Sequence, residues 1–106
     1  MSYPSRVVYV IVWKYEVGEP TRDAFEREYG PEGSWVKFFT GGEGYLGTEL
    51  LRSGAGVYLT IDRWESQAEY HAFRTSRSNE YERIDTECGA LTTDETLVGA
   101  FEDLET

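Results

Sequence analysis

The segment Arg6–Tyr15, RVVYVIVWKY, constrains the fold more than any other part of the chain. It is β-branched and aromatic almost throughout, which is the composition of a strand. Alternation places Val8, Val10 and Val12 on one face and Val7, Tyr9, Ile11 and Trp13 on the other. A strand that is apolar on both faces must be covered on both faces. The rest of the chain therefore has to supply two covers, and 106 residues make one domain with few layers to spare. A domain of this size buries about 65% of the surface that its unfolded chain exposes.

Changes in apolar period mark the remaining elements. Pro20–Tyr29 reads as a helix stopped by Gly30-Pro31, with Phe25 and Tyr29 four apart on one face. Ser34 is placed to cap a short helix carrying Trp35, Val36, Phe38 and Phe39, and Gly41-Gly42-Glu43-Gly44 is then a turn. That turn follows a helix and precedes a strand, the reverse of a phosphate-binding loop. Tyr45–Arg52 and Gly56–Trp64 flank a hairpin turn at Ser53-Gly54-Ala55. In the second of these strands Val57, Leu59 and Ile61 oppose Tyr58, Thr60, Asp62 and Trp64, and the aliphatic side is expected to lie under helices. Ser66-Gln67-Ala68-Glu69 is a capping box opening a helix through Phe73 that breaks near Ser76–Asn79. A second helical piece follows with Tyr81, Ile84, Cys88 and Leu91. Thr96–Glu102 makes the last strand, with Leu97, Gly99 and Phe101 opposite Val98 and Ala100.

The order strand, helix, strand, strand, helix, strand predicts an α+β domain: a ferredoxin-like βαββαβ antiparallel sheet with its helices on one side, occupying residues 1–106 as a single unit. The bare sheet face is then expected to show Tyr9, Ile11, Trp13, Tyr58 and Trp64. A patch that large calls for a second copy laid face to face, a homodimer enclosing a ligand cavity.

Charge narrows the partners. Ten Lys and Arg against twenty Asp and Glu leave a net charge of −10, with no basic run, so nucleic acid and anionic membrane surfaces are excluded as partners. No segment approaches the ~20 apolar residues of a membrane span. Val7–Trp13 lacks the flanks of a secretory signal, which makes a cytoplasmic protein the expectation. The single cysteine, Cys88, rules out an intrachain disulfide and a cysteine-based structural zinc site, and its helical spacing predicts an inert buried thiol.

Three stretches resemble the antibiotic biosynthesis monooxygenase domain of the dimeric α/β-barrel superfamily: Gly44–Arg52 (GYLGTELLR), Thr60–Ser66 (TIDRWES) and Tyr70–Arg74 (YHAFR). The resemblance spans roughly Val7 to Phe101. It implies a homodimer with a barrel-like interior in each subunit, and an enzyme that oxidises an aromatic phenol or quinol with molecular oxygen without flavin or metal. It implies that Trp64 and Tyr70 line the pocket and orient substrate. It puts Thr60 where the family often has asparagine, which weakens hydrogen bonding to a substrate carbonyl, and makes Arg83 the nearest match to a pocket arginine. A haem-degrading branch fits less well, because its axial histidine falls about one turn after His71 and its first-strand asparagine is missing from Arg6–Tyr15.

Residue chemistry adds further candidates and bland alternatives. Tyr9, Trp13 and Tyr58 form an aromatic set by parity, either stacking surfaces for a flat ligand or interface core, and Phe73 joins the ligand-binding set. Asp62 shares the parity of Thr60 and Trp64. It is either a base with a raised pKa in an aromatic cavity or a surface carboxylate paired with Arg52 or Arg63. His71 points about 100° away from Tyr70 and is expected in solvent. The function that the resemblance implies is a cofactor-independent monooxygenase of a small aromatic. The alternatives are a non-catalytic ligand-binding or stress-related barrel protein, and a dimerisation module with a filled interior.

Overall fold

The computed structural model describes residues 7–104; Arg6, the expected first residue of the first strand, lies outside them. β1 (Val8–Glu16) leads through a short 3-10 turn at Glu19–Thr21 into α1 (Arg22–Tyr29) and then α2 (Ser34–Thr40). β2 (Tyr45–Ser53) and β3 (Val57–Trp64) form the hairpin. α3 (Gln67–Ser76) and α4 (Ser78–Gly89) follow, and β4 (Asp94–Asp103) completes an antiparallel sheet of order β2-β3-β1-β4. This is the ferredoxin-like arrangement expected from the element order.

Local signals account for the helix ends. Ser66 Oγ accepts a hydrogen bond from the Glu69 amide at 3.2 Å, which starts α3. The capping box is only half formed. The Glu69 carboxylate turns instead toward Gly44, and its Oε2 is buried without a partner. Ser66→Ala is expected to cost about 1 kcal/mol, read as a lower urea midpoint with an unchanged m-value. Ser34 is the first residue of α2 and not its cap; Gly33 holds the cap position, and the Ser34 hydroxyl donates to the Glu28 carboxylate. Gly44, at φ +90°, and Gly42 let the turn before β2 press onto the helices. A β-carbon on Gly42 would stand 2.6 Å from the Phe73 ring and 2.8 Å from the Trp64 ring.

The faces of the sheet are the reverse of the expectation. Tyr9, Ile11, Trp13, Tyr58 and Trp64 do not form the bare side; they lie under the helices. Tyr9 meets Tyr70 at 5.7 Å between ring centroids, Tyr58 meets Phe25 at 4.7 Å, and Trp64 is fully buried. Val57, Leu59 and Ile61, expected beneath helices, face away with Val10 and Val12. The register sets Val12 opposite Ile61, and Leu51 opposite Leu59. Parity groups residues on a face but does not say which face the helices choose, and packing decides it. The helices bring Phe25, Tyr29, Trp35, Phe38, Phe39 and Phe73, and the gap they leave over a twisted sheet is filled by large rings. Short branched side chains make a flatter surface that suits another sheet.

β4 departs from its predicted alternation as well. The register shifts between Val12 and Trp13: Gly99 pairs with Val12 and Leu97 with Trp13, so Val98 is the extra residue of a bulge. Leu97 thereby joins the helix side, while Gly99 and Phe101 stay on the open side. The same shift brings Glu95, opposite Tyr15, to the helix side.

Candidate functional site

A cavity of about 30 Å³ lies between the sheet and the helices, inside a single chain and not between two sheets. Thr48 of β2 and Thr60 and Asp62 of β3 form its floor. Six rings wall it: Trp13, Tyr15, Tyr29, Trp35, Phe39 and Tyr81. Asp85 of α4 and Glu95 of β4, both exposed, stand at the mouth. The volume equals the share of one water in the liquid, about 30 Å³. A larger guest enters only if a lining side chain moves, and half-buried Trp13 and Tyr81 have solvent to move into.

Asp62 is the chemical centre. Its side chain is 7% exposed, and Arg52 and Arg63, its expected surface partners, pair with Glu26 and Glu49 instead. Thr48 Oγ1 donates to Asp62 Oδ1 at 2.6 Å, and the Tyr45 hydroxyl lies 2.5 Å from the same Thr48 oxygen. A hydroxyl has one proton to give. With that of Thr48 committed to an ionised Asp62, Tyr45 donates to Thr48, and a chain Tyr45–Thr48–Asp62 results. Burial raises the Asp62 carboxyl to about 6, against the opposing pull of the Thr48 hydrogen bond. Glu95 is also raised, by burial first and then by the charge of Asp85.

Thr60 and Trp13 share the cavity with Asp62. Trp64 and Tyr70 pack against each other edge to face at 5.5 Å, in a ring cluster behind the Phe39 wall that also holds Phe73 and Tyr9. Trp64 Nε1 is buried with no hydrogen-bond partner among the described residues. Arg74 Nη1 donates to the Tyr70 hydroxyl at 2.7 Å, which leaves the Tyr70 proton free to be donated elsewhere. Trp64, Tyr70, Tyr9 and Phe73 therefore do not line the cavity as expected, and Tyr58 and Arg83 are not brought to it either. The Tyr58 hydroxyl donates to Glu26 Oε2 at 2.5 Å under α1. Arg83 pairs with Glu87 at 3.1 Å, in an outer groove of about 620 Å³ among α1, α2 and α4. His71 is exposed on α3. Cys88 is buried, its thiol pushed up to about 11 by burial, which leaves it protonated and unreactive at neutral pH.

Sequence reasoning missed Tyr45, Thr48, Arg74, Asp85 and Glu95. The first two were within reach: a hairpin turning at Ser53-Gly54-Ala55 sets Thr48 opposite Asp62. Arg74 sits one helical turn after Tyr70, the spacing at which side chains meet. Its guanidinium also lies 3.6 Å from the centre of the Tyr81 ring. Nothing in the sequence announced Asp85 and Glu95, because the bulge that orients Glu95 arises from pairing with β1.

Neither protein-family sequence models nor curated protein sequences give a match to this chain. Solved structures do. A monooxygenase of Streptomyces coelicolor in complex with nanaomycin D is 18% identical with a TM-score of 0.75, covering 95% of this chain and 91% of its own. SnoaB of Streptomyces nogalater, described as a cofactor-independent oxygenase, is 20% identical with a TM-score of 0.73, covering 96% and 97%. A protein of Nitrosomonas europaea assigned to the antibiotic biosynthesis monooxygenases is 12% identical with a TM-score of 0.69, covering 97% and 96%. Among the described residues no helix is long and apolar enough to cross a membrane. By its strand order, its helix placement and these matches over nearly its whole length, the chain has the fold of the antibiotic biosynthesis monooxygenase domain.

Proposed function

We propose that the protein is a cofactor-independent monooxygenase of a small electron-rich aromatic, a phenol or quinol, working as a homodimer joined through the aliphatic sheet face. The observation that carries this reading is a buried carboxylate, held by one hydroxyl and pushed up to about 6, on the floor of a ring-lined cavity. A base poised near neutrality inside an apolar pocket suits proton abstraction from a phenol. The named activities of the two Streptomyces proteins support it by analogy of fold.

In this reaction the substrate proton passes to Asp62. The resulting anion gives one electron to molecular oxygen, and the radical pair closes a carbon–oxygen bond. Asp62 returns the proton to the peroxide. Loss of water from the hydroperoxide, with the remaining C–H proton, leaves a carbonyl. One oxygen atom stays in the product and the other departs in water. Thr60 hydrogen-bonds the substrate oxygen and Trp13 stacks on the ring, while Tyr70, fixed by Arg74, backs Trp64, which supports the Phe39 wall from behind. Phe73 and Tyr9 hold Tyr70 and Trp64 in place.

The small cavity favours a second reading, a binder that closes on its ligand without turnover. Oxygen uptake with a dihydroanthracene-type phenol separates the two. Uptake is expected to rise with pH through about 6 as Asp62 ionises. Asp62→Asn should lower it by at least about a hundredfold, the usual contribution of a general base. Tyr70→Phe and Trp64→Phe should lower it less. Full uptake in Asp62→Asn removes the proposed base, and saturable binding with no oxygen consumed supports the binder.

A further inference from the structure

The pocket carries a charge preference that oxygen chemistry does not require. Asp62 lies at the floor, 7% exposed and accepting a hydrogen bond from Thr48, and Asp85 and Glu95 stand at the mouth. Among the described residues none of these three carboxylates forms an ion pair, and Arg74, the cation on which the charge of Asp85 acts, holds its guanidinium on the Tyr81 ring and the Tyr70 hydroxyl. The carboxylates are spread from floor to mouth: among the described residues no three His, Cys, Asp or Glu side chains converge in a way that would hold a metal ion. Between them lie aromatic faces, with Trp13 and Tyr81 at the mouth. Rings interleaved with separated carboxylates form the chemistry that recognises an organic ammonium, by cation–π attraction and charge together. The contact of Arg74 with Tyr81 is one such pair made within the chain.

We propose that the ligand of this pocket is a small aromatic molecule bearing a protonated amine, with the ring inside and the ammonium group at the mouth between Asp85 and Glu95. The proposal rests on the reading of this cavity as the substrate site, but not on its oxygen chemistry. It also removes a difficulty in that chemistry. Passing a phenolic proton to Asp62 creates an anion close to the carboxylates at the mouth, and an ammonium arm on the substrate offsets that repulsion.

Three para-substituted phenols test it: tyramine, para-ethylphenol and phloretate carry a cationic, a neutral and an anionic arm. Titration of the full chain, followed by tryptophan fluorescence and calorimetry, is expected to rank them in that order. Tyramine should bind about tenfold tighter than para-ethylphenol, the scale of one desolvated cation–π contact. Asp85→Asn with Glu95→Gln should shrink that gap several-fold, read as the ratio of the tyramine and para-ethylphenol affinities in the same variant. Equal or tighter binding of phloretate overturns the proposal. So does a gap that survives the double variant, which would trace the preference to the overall net charge of −10. Failure of all three to bind saturably overturns it too. Oxygen uptake is read separately: the expected ranking without uptake sinks the oxygenase and spares the cation site, and uptake with a reversed ranking does the opposite.

Discussion

Replacing Leu59 and Ile61 together by aspartate is expected to turn a dimer into a folded monomer. Both residues lie on the open side of β3. Ile61 stands opposite Val12 and Glu49, and Leu59 opposite Lys14 and Leu51. With half-buried Val12 and half-exposed Phe101 they make an apolar field bordered by the Glu49–Arg63 ion pair and by Lys14, an apolar centre with a charged rim. Among the described residues no element covers it, since all four helices pack on the other face. Each side chain is already half-buried by its sheet neighbours, so a two-fold contact adds roughly 1 to 1.5 kcal/mol for each. Four are lost per dimer, on the order of 5 kcal/mol, or roughly a 10³- to 10⁴-fold weaker Kd. Carboxylates placed in the contact resist burial and add to this. Sedimentation at micromolar concentration should report a dimer for the parent chain and a monomer for the variant, with unchanged far-UV circular dichroism. A monomeric parent chain removes the homodimer from the proposed function. It leaves the cavity in place, because that cavity is internal to one subunit.

That independence is what the amino-acid sequence concealed. The element order, the hairpin, the break between α3 and α4 and the start of α3 at Ser66 all follow from local signals: period, turn residues and caps. So did the existence of a bare apolar sheet face. The identity of that face did not, because β1 is apolar on both sides and only the aromatic content of α1 and α2 settles which side they cover. The inversion moved the candidate site from the expected seam between two copies to the interior of a single chain. It carried Thr60 and Asp62 with it into the cavity, and sent Tyr58 beneath α1. Residues from one strand could be grouped in advance. Those that complete the site through a bulge or a crossover, Glu95 and Asp85, could not, since their placement depends on long-range pairing that leaves no local pattern. Arg83, transferred from a family resemblance without a register to anchor it, went to the outer helical surface. Arg74, present in the same resembling stretch as Tyr70, is the arginine that reaches the aromatic cluster.

At pH 8 the Asp62→Asn variant is expected to be more stable than the parent chain by about 3 kcal/mol, and at pH 3.5 the two should match. The folded protein raises the Asp62 carboxyl from 3.8 to about 6 by burying it. Between those values the folded state holds a proton that the unfolded state has released, so stability is fully present below the lower value and declines as pH rises through the upper one. A gap of about two pKa units corresponds to about 3 kcal/mol at pH values above both. Asparagine keeps an Oδ1 for the Thr48 hydrogen bond and carries no charge to bury, so the penalty disappears. For a domain of this length the melting temperature should rise by roughly ten degrees or more at pH 8. A shallower decline with pH remains in the variant, because Glu95 is raised by burial and by Asp85 and titrates in the same sense. Urea and thermal melts of both proteins at the two pH values read the difference directly. Retaining a carboxylate where an amide would fit the same hydrogen bond at lower cost is the pattern of a functional group held at the expense of stability. Equal stability of the two proteins at pH 8 would mean that Asp62 is well hydrated and ionises as an ordinary carboxylate, and its place as the proton acceptor would be lost.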